Sequence, residues 1–263
     1  MEIKMVKLLA LDLDKTLIRD NNTISDTDKK AIQKCIDRGI IVSIISGRND
    51  ASIKPIAQEL KIIKNKHIGV NGALLLDFIN GHEELITIDN DIYDYLVEKF
   101  SEDDRDFMPL NREGYFYKNE GHLLDDVRTW IDDEGLIKGD LASLKDCYRI
   151  SVHFEDKEDL EYLKSYLPKS IYGTVDRNVY DIRPTKVNKF TGLEALMKHY
   201  DINKNEVATI GDQASDIELL ENTKYSFAVQ NADEFTKKAA NYVLKKTNNE
   251  NAVAEMINEY LLK

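Results

Sequence analysis

Two cysteines, four prolines and one tryptophan are all that the 263 residues contain of these types, and each scarcity excludes something. Cys35 and Cys147 lie far apart, in no Cys-x-x-Cys pair and no Cys/His cluster with metal-ligand spacing. A disulfide framework and a structural zinc site are therefore excluded, and both residues are expected to be ordinary thiols. Long apolar runs are missing too: no stretch approaches the roughly 20 residues that span a bilayer. The run Leu8-Leu9-Ala10-Leu11 is too short for a signal-peptide core and has no small-residue cleavage site after it. No membrane association is expected, and the cytoplasm is the expected location. Basic residues are outnumbered, 36 Lys plus Arg against 48 Asp plus Glu, for a formal net charge of −12. That field works against nucleic acid and anionic lipid. The lone Trp130 is accordingly assigned to packing and not to base stacking. Any small anion that binds this chain must be drawn by a local cluster of cations, backbone N–H groups or a metal ion.

What is present is the makeup of a globular protein, 42% hydrophobic and 32% charged, long enough for about one or two domains. Residues 6–13 form a nearly continuous apolar run, as expected of a strand buried on both faces of a parallel sheet. Ser25-Asp26-Thr27-Asp28 has helix N-cap chemistry, and an amphipathic stretch over 29–38 is stopped by Gly39. A second buried strand is predicted over 40–45, a helix through 60 and a short strand over 67–70. Strand-like runs at 74–78 and 84–88 then open a region of different character. It includes a strand over 148–154, a helix over 157–166 and strands over 171–175 and 179–182. After Pro184 the βα rhythm returns, with a helix over 188–199, a strand over 207–210, a helix after Ala214 and a strand over 226–229. The fold class that follows is α/β: a doubly wound, mainly parallel sheet from residues 1–80 and 184–263, interrupted by an α+β insert over 81–183.

Several residues stand where such a sheet places its sites, beyond the carboxyl ends of the strands. Asp12-Leu13-Asp14-Lys15-Thr16 follows the first strand. Side-chain alternation would point Asp12 and Asp14 the same way, and two close carboxylates call for a cation or a proton between them. A hard divalent ion such as Mg²⁺ meets that need; a pair of solvated loop acids fits the Asp-x-Asp spacing equally well. Ser46-Gly47-Arg48, between the second strand and a helix, has the hydroxyl, the close backbone and the helix N-terminus of a small anion site, or simply of a turn. Lys189 opens the helix after the insert and can neutralise a phosphate or a carboxylate, or be one more surface lysine. Asp212 tops another buried strand within Gly211-Asp212-Gln213-Ala214-Ser215-Asp216. Asp216, one turn on, can meet a metal's waters, fix a loop, or serve as a helix N-terminal acid.

These elements together resemble the haloacid dehalogenase-like hydrolases, in particular their Cof-type branch with an α/β cap domain. The resemblance rests on Asp12-Leu13-Asp14-Lys15-Thr16-Leu17, Ser46-Gly47-Arg48, Asn71-Gly72-Ala73, Lys189 and Gly211-Asp212 with Asp216, in that order. It extends to Asn231-Ala232 and to Asn248-Asn249-Glu250-Asn251-Ala252-Val253-Ala254. It implies a Mg²⁺-dependent phosphatase acting on small phosphorylated metabolites, commonly sugar phosphates. By that resemblance Asp12 is the nucleophile and a metal ligand. Asp14 is the general acid/base and binds metal through its carbonyl, Asp212 is a further ligand, and Asp216 is an acid beside the metal. Leu13, Ser46, Gly47, Lys189 and Ser215 are implied at the phosphate, and Arg48 and Asn71 near the substrate.

Four positions depart from the family pattern: Lys15 and Phe190 stand where glycine is usual, Ser46 where threonine is commoner, and Ser215 where asparagine usually sits. Ser46 keeps the hydroxyl, whereas Ser215 loses an amide donor. Two alternatives fit these residues less well. A phosphosugar mutase needs more cations in the cap than a segment with Asp103-Asp104, Asp125-Asp126 and Asp132-Asp133-Glu134 offers. A non-catalytic ligand-binding relative would have lost at least one of Asp12, Asp14, Lys189 or Asp212, and all four are present. No motif marks the physiological substrate or an oligomeric state.

Overall fold

The computed structural model describes residues 6–84, 86–129 and 135–262; Trp130 and the acidic run 132–134 lie outside them. Its chain falls into two compact units, one from the described residues of Met1–Leu85 and Asn188–Lys263, the other Ile86–Val187. The first opens with β1 (Leu8–Leu11), every residue of which is buried. Helix α1 (Asp26–Asp37) follows; the Ser25 hydroxyl accepts from the Asp28 N–H at its start, and Asp28, Ala31, Ile32 and Cys35 form its buried face. That spacing is the apolar stripe of a helix packed on a sheet. Next come β2 (Ile41–Ile44), α2 (Asp50–Glu59), β3 (His67–Gly69), β4 (Leu74–Leu76) and β5 (Glu83–Glu84).

Of the strand expected over 84–88, Glu84 closes β5 and residues 86–88 lie in no strand; Leu85 lies outside the described residues. The Ile88 N–H donates to the Cys147 carbonyl instead, and α3 (Asn90–Glu102) begins two residues later. The second unit continues with β6 (Phe107–Leu110), β7 (Tyr115–Tyr117), α4 (His122–Val127), β8 (Leu136–Lys138), β9 (Arg149–His153), α5 (Lys157–Ser165), β10 (Ile171–Asp176) and β11 (Val179–Pro184). Its six strands run in the order β10-β11-β9-β6-β7-β8, antiparallel except for β7 with β8. Tyr93, Phe100, Phe107, Ile150, Val152 and Leu163 are among the residues of its own core. Cys147 is buried there as a free thiol, and burial pushes it up to about 12, out of reach of thiolate chemistry.

The first unit then resumes with α6 (Lys189–Tyr200), β12 (Val207–Gly211), α7 (Ile217–Glu221), β13 (Tyr225–Ala228), α8 (Glu234–Ala239), β14 (Tyr242–Val243) and α9 (Ala252–Met256). Its main sheet is parallel, in the order β14-β13-β12-β1-β2. From β1 the chain passes outward to β2 on one side, while β12, β13 and β14 fill the other; the carboxyl end of β1 is thus the topological switch point. The predicted third strand does not join as a full member. Just beyond β2 it pairs through the isolated bridge Ile45↔Ile68, and it starts an antiparallel sheet with β4 and β5. No described helix is long and apolar enough to cross a membrane.

His67 on β3 gives this fold a pH-dependent weak point. It is fully buried; its Nδ1 accepts from the Ile44 N–H at 3.1 Å and its Nε2 faces the Ile62 carbonyl at 3.2 Å. The neutral Nε2–H tautomer satisfies both contacts, and a proton on Nδ1 would oppose an N–H. Burial lowers the imidazole from 6.5 to about 4. Because the folded protein favours the neutral ring, its contribution is complete above about pH 6.5 and is lost as pH falls towards 4. That loss approaches about 3 kcal/mol. Urea titrations at a series of pH values should show the decline, and a His67→Gln variant should lack this component of the slope.

Candidate active site

Asp12 follows directly on β1, its N–H donating to the Ile210 carbonyl of β12 at 3.3 Å, with only 4% of its surface exposed. The chain then leaves the extended conformation: the Leu13 carbonyl accepts from the N–H groups of Thr16, Leu17 and Ile18, and Lys15 is left-handed at φ +56°. The extended conformation on which side-chain alternation depends therefore ends just after Asp12. Asp14 has a side chain 53% exposed and is held by the Arg48 guanidinium in a fork, Nε to Oδ2 at 3.0 Å and a terminal nitrogen to Oδ1 at 2.6 Å.

The side chains that do converge on Asp12 come from the other half of the unit. Lys189, at the start of α6, sits where Asn188 caps the helix through a reciprocal box with Thr191. Its ammonium donates to Asp12 Oδ1 and to Asp216 Oδ1, each at 2.7 Å, from a side chain only 3% exposed. It is thus a buried bridge and not one more surface lysine. Asp216 is fully buried, and its other oxygen, Oδ2, accepts from the N–H groups of Asp212 and Gln213 at 3.2 Å each. Of the roles open to it, fixing the loop after β12 is the one seen. Gly211 is required beneath it, since a β-carbon there would lie 2.4 Å from Asp216 Cγ. Thr16, in the first motif, joins them without a motif role to announce it: its hydroxyl donates to Asp212 Oδ1 at 3.4 Å.

On the β2 side, Ser46 is buried and its Oγ accepts from the Arg48 N–H at 3.2 Å. Asn71 donates its N–H to the Ser46 carbonyl, and Val70 donates to that of Arg48, each at 3.0 Å. A β-carbon at Gly47 would lie 3.2 Å from the Asn71 amide, so these two residues are in close apposition. Val70 (φ +51°), Asn71 (φ +53°) and Gly72 (φ +110°) are consecutive left-handed residues. A β-branched residue in that region is strained, and nothing in the local sequence announces it. Gly72 is obligatory, because a β-carbon would fall 2.0 Å from the Asn188 carbonyl oxygen. Ser215 lies half-buried within the short turn Ala214–Asp216.

Carboxylate oxygens of Asp12, Asp212 and Asp216 lie within 4.8 Å of one another, the one such group of three among the described residues. Burial and the nearby Asp216 push Asp12 up to about 7 against the pull of Lys189. Burial, Asp12 and Asp216 push Asp212 up to about 8. Burial pulls Lys189 down, yet the two carboxylates outweigh it and hold the ammonium above the ordinary lysine value. One ammonium thus faces three buried acids. A hard, oxygen-seeking divalent cation would cancel the remaining charge, and this donor set suits it.

A family model described as haloacid dehalogenase-like hydrolase matches residues 9–257. Among curated proteins, the 5-amino-6-(5-phospho-D-ribitylamino)uracil phosphatase YitU of Bacillus subtilis is 26% identical over 280 residues, covering 96% of this chain and 97% of that one. YcsE of the same organism, with the same described activity, is 25% identical over 261 residues, covering 98% and 96%. The crystal structure of TM0651 from Thermotoga maritima superposes with a TM-score of 0.86 at 22% identity, covering 98% of this chain and 99% of that one, and so shares the fold.

Proposed function

The chain belongs to the haloacid dehalogenase-like hydrolases and is a phosphatase, and from that premise we propose that it hydrolyses small phosphorylated metabolites through a phosphoryl group carried on Asp12, with Mg²⁺ as cofactor. The observation that carries this reading is the buried bridge of Lys189 between Asp12 and Asp216, beside Asp212, at the switch point of the sheet. A carboxylate and a phosphate dianion repel each other, and this site supplies the positive charge that lets them meet. Asp12, Asp212 and Asp216 would hold the ion with help from the Asp14 carbonyl; when bound, it supplies Lewis-acid stabilisation of the phosphoryl oxygens.

Asp12 attacks phosphorus and takes the phosphoryl group, while Lys189 offsets charge on the oxygens. The N–H of Leu13, with Ser46, Gly47 and Ser215, cradles the group. Asp14 donates a proton to the departing alkoxide, then accepts one from the water that attacks the phospho-Asp12. Its fork with Arg48 holds the carboxylate in place, and Arg48 and Asn71 border the substrate. Selection among leaving groups is assigned to the inserted unit Ile86–Val187.

Hydrolysis is favoured over phosphoryl migration within a bisphosphate. Arg105 and Arg149 of the insert are engaged by Asp159 and Asp181, and so are not free cations for a second phosphate. The substrate class is a phosphate monoester of a sugar or sugar alcohol; the relatives YitU and YcsE act on a phosphoribityl compound, which is such an ester. No nucleic-acid or membrane partner is invoked, and the cytoplasm is the proposed location.

Phosphate release tests the metal assignment. Activity on an aryl phosphate should vanish in EDTA and return with Mg²⁺. Ca²⁺, larger and laxer in geometry, should restore little of it. Turnover undiminished by chelator would sink the scheme.

A further inference from the structure

Two stretches late in the chain, Asn231-Ala232 and 248–254, contribute nothing to the three-carboxylate group. Their asparagines converge instead on the loop that follows Asp12. The Asn231 amide donates to the Lys15 carbonyl at 2.8 Å, and its oxygen accepts from the Asn248 N–H at 2.9 Å. Asn248 in turn donates to the Ile18 carbonyl at 3.0 Å and to Asp20 Oδ1 at 3.1 Å. Asn249 exchanges two bonds with Asp20, and Arg19 donates to Asn251 Oδ1 at 2.8 Å. A side-chain amide suits this task because it donates and accepts at once without carrying charge.

The bond to Lys15 falls at a demanding place. Lys15 adopts φ +56°, a conformation glycine takes freely and a lysine does not, and it separates Asp14 from Thr16. Something must hold that turn, or the loop would relax and carry Asp14 with it. Arg48 holds the Asp14 carboxylate from one side; the backbone one residue on is held by Asn231.

We propose that Asn231 is a positioning residue for Asp14: by bonding the Lys15 carbonyl, with Asn248 behind it, it fixes the left-handed turn that aims the Asp14 carboxylate at the leaving group. This rests on the reading of Asp14 as the general acid. Asn231 thereby acts on the chemistry through the turn at Lys15, although it touches no reacting atom.

The test is an Asn231→Asp variant, whose carboxylate still accepts from Asn248 but cannot donate to Lys15. Its kcat/KM, measured with Mg²⁺, is compared on p-nitrophenyl phosphate, whose leaving group needs no proton, and on a primary alkyl phosphate, whose leaving group does. Asp14→Asn is run in parallel. Asn249→Ala, which loses only bonds to Asp20, is the structural control. Asn231→Asp should depress the alkyl-to-aryl ratio about tenfold, a fraction of the 10²–10⁴ that a general acid contributes, while Asn249→Ala leaves the ratio unchanged. A ratio in Asn231→Asp equal to the wild type's, with Asp14→Asn selective, overturns the inference alone. An unselective Asp14→Asn overturns the role of Asp14 and the inference with it.

Discussion

Asp12→Asn protein should fold normally and release phosphate at no more than about 10⁻⁴ of the wild-type rate, on good and poor leaving groups alike. An amide of the same size cannot attack phosphorus, so no phospho-protein can form, whatever else remains. Folding should survive because the substitution removes one of three crowded acids, and Lys189 keeps its contact with Asp216. Circular dichroism and thermal melting would verify the fold, and acid-quenched mass spectrometry of the wild type during turnover should find the phosphoryl group on the peptide containing Asp12. Substantial residual turnover in the variant would mean that water attacks directly.

Lys189→Met should damage both chemistry and stability. Its ammonium is the sole cation bonded to Asp12 and Asp216 among the described contacts, and removing one partner of a buried ion pair costs about 3–5 kcal/mol. Part of that loss is recoverable by protonation. Asp12 already lies well above the ordinary carboxylate range because of burial and Asp216, and loss of the lysine would raise it further. A carboxyl raised in the folded state contributes stability at low pH that is lost as pH rises through its folded value. The gap in melting temperature between wild type and Lys189→Met should therefore be small near pH 5 and widen towards pH 8. Activity should fall by about 10³ or more, as for other donors that stabilise developing oxyanion charge. A variant as stable as the wild type at pH 8 would show that the lysine is not the counter-charge of this site.

Much of the architecture was legible in the sequence because it is encoded locally. Continuous apolar runs marked β1, β2, β12 and β13 as buried parallel strands. Ser25 announced a helix start through capping chemistry whose bond spans only three residues. Strand ends in an α/β sheet then located Asp12 and Asp212, since the carboxyl ends of adjacent strands are brought together by the register of β1 with β12. The two-residue strand β14 was too short to carry a period.

What the tertiary structure alone decided is which side chains meet. Asp14, expected beside Asp12, is forked by Arg48, 34 positions along the chain, and stands outside the buried trio of carboxylates. Asp216 takes the place among the buried acids. Lys189 reaches Asp12 across 177 positions, and Asn231 reaches Lys15 across 216. No residue pattern near either end signals its partner. A helix or a strand is specified by neighbours along the chain, through periodicity and capping. A buried charge is specified by whatever counter-charge the packed sheet brings within hydrogen-bonding distance, because leaving it unpaired away from water is too costly for the fold to survive.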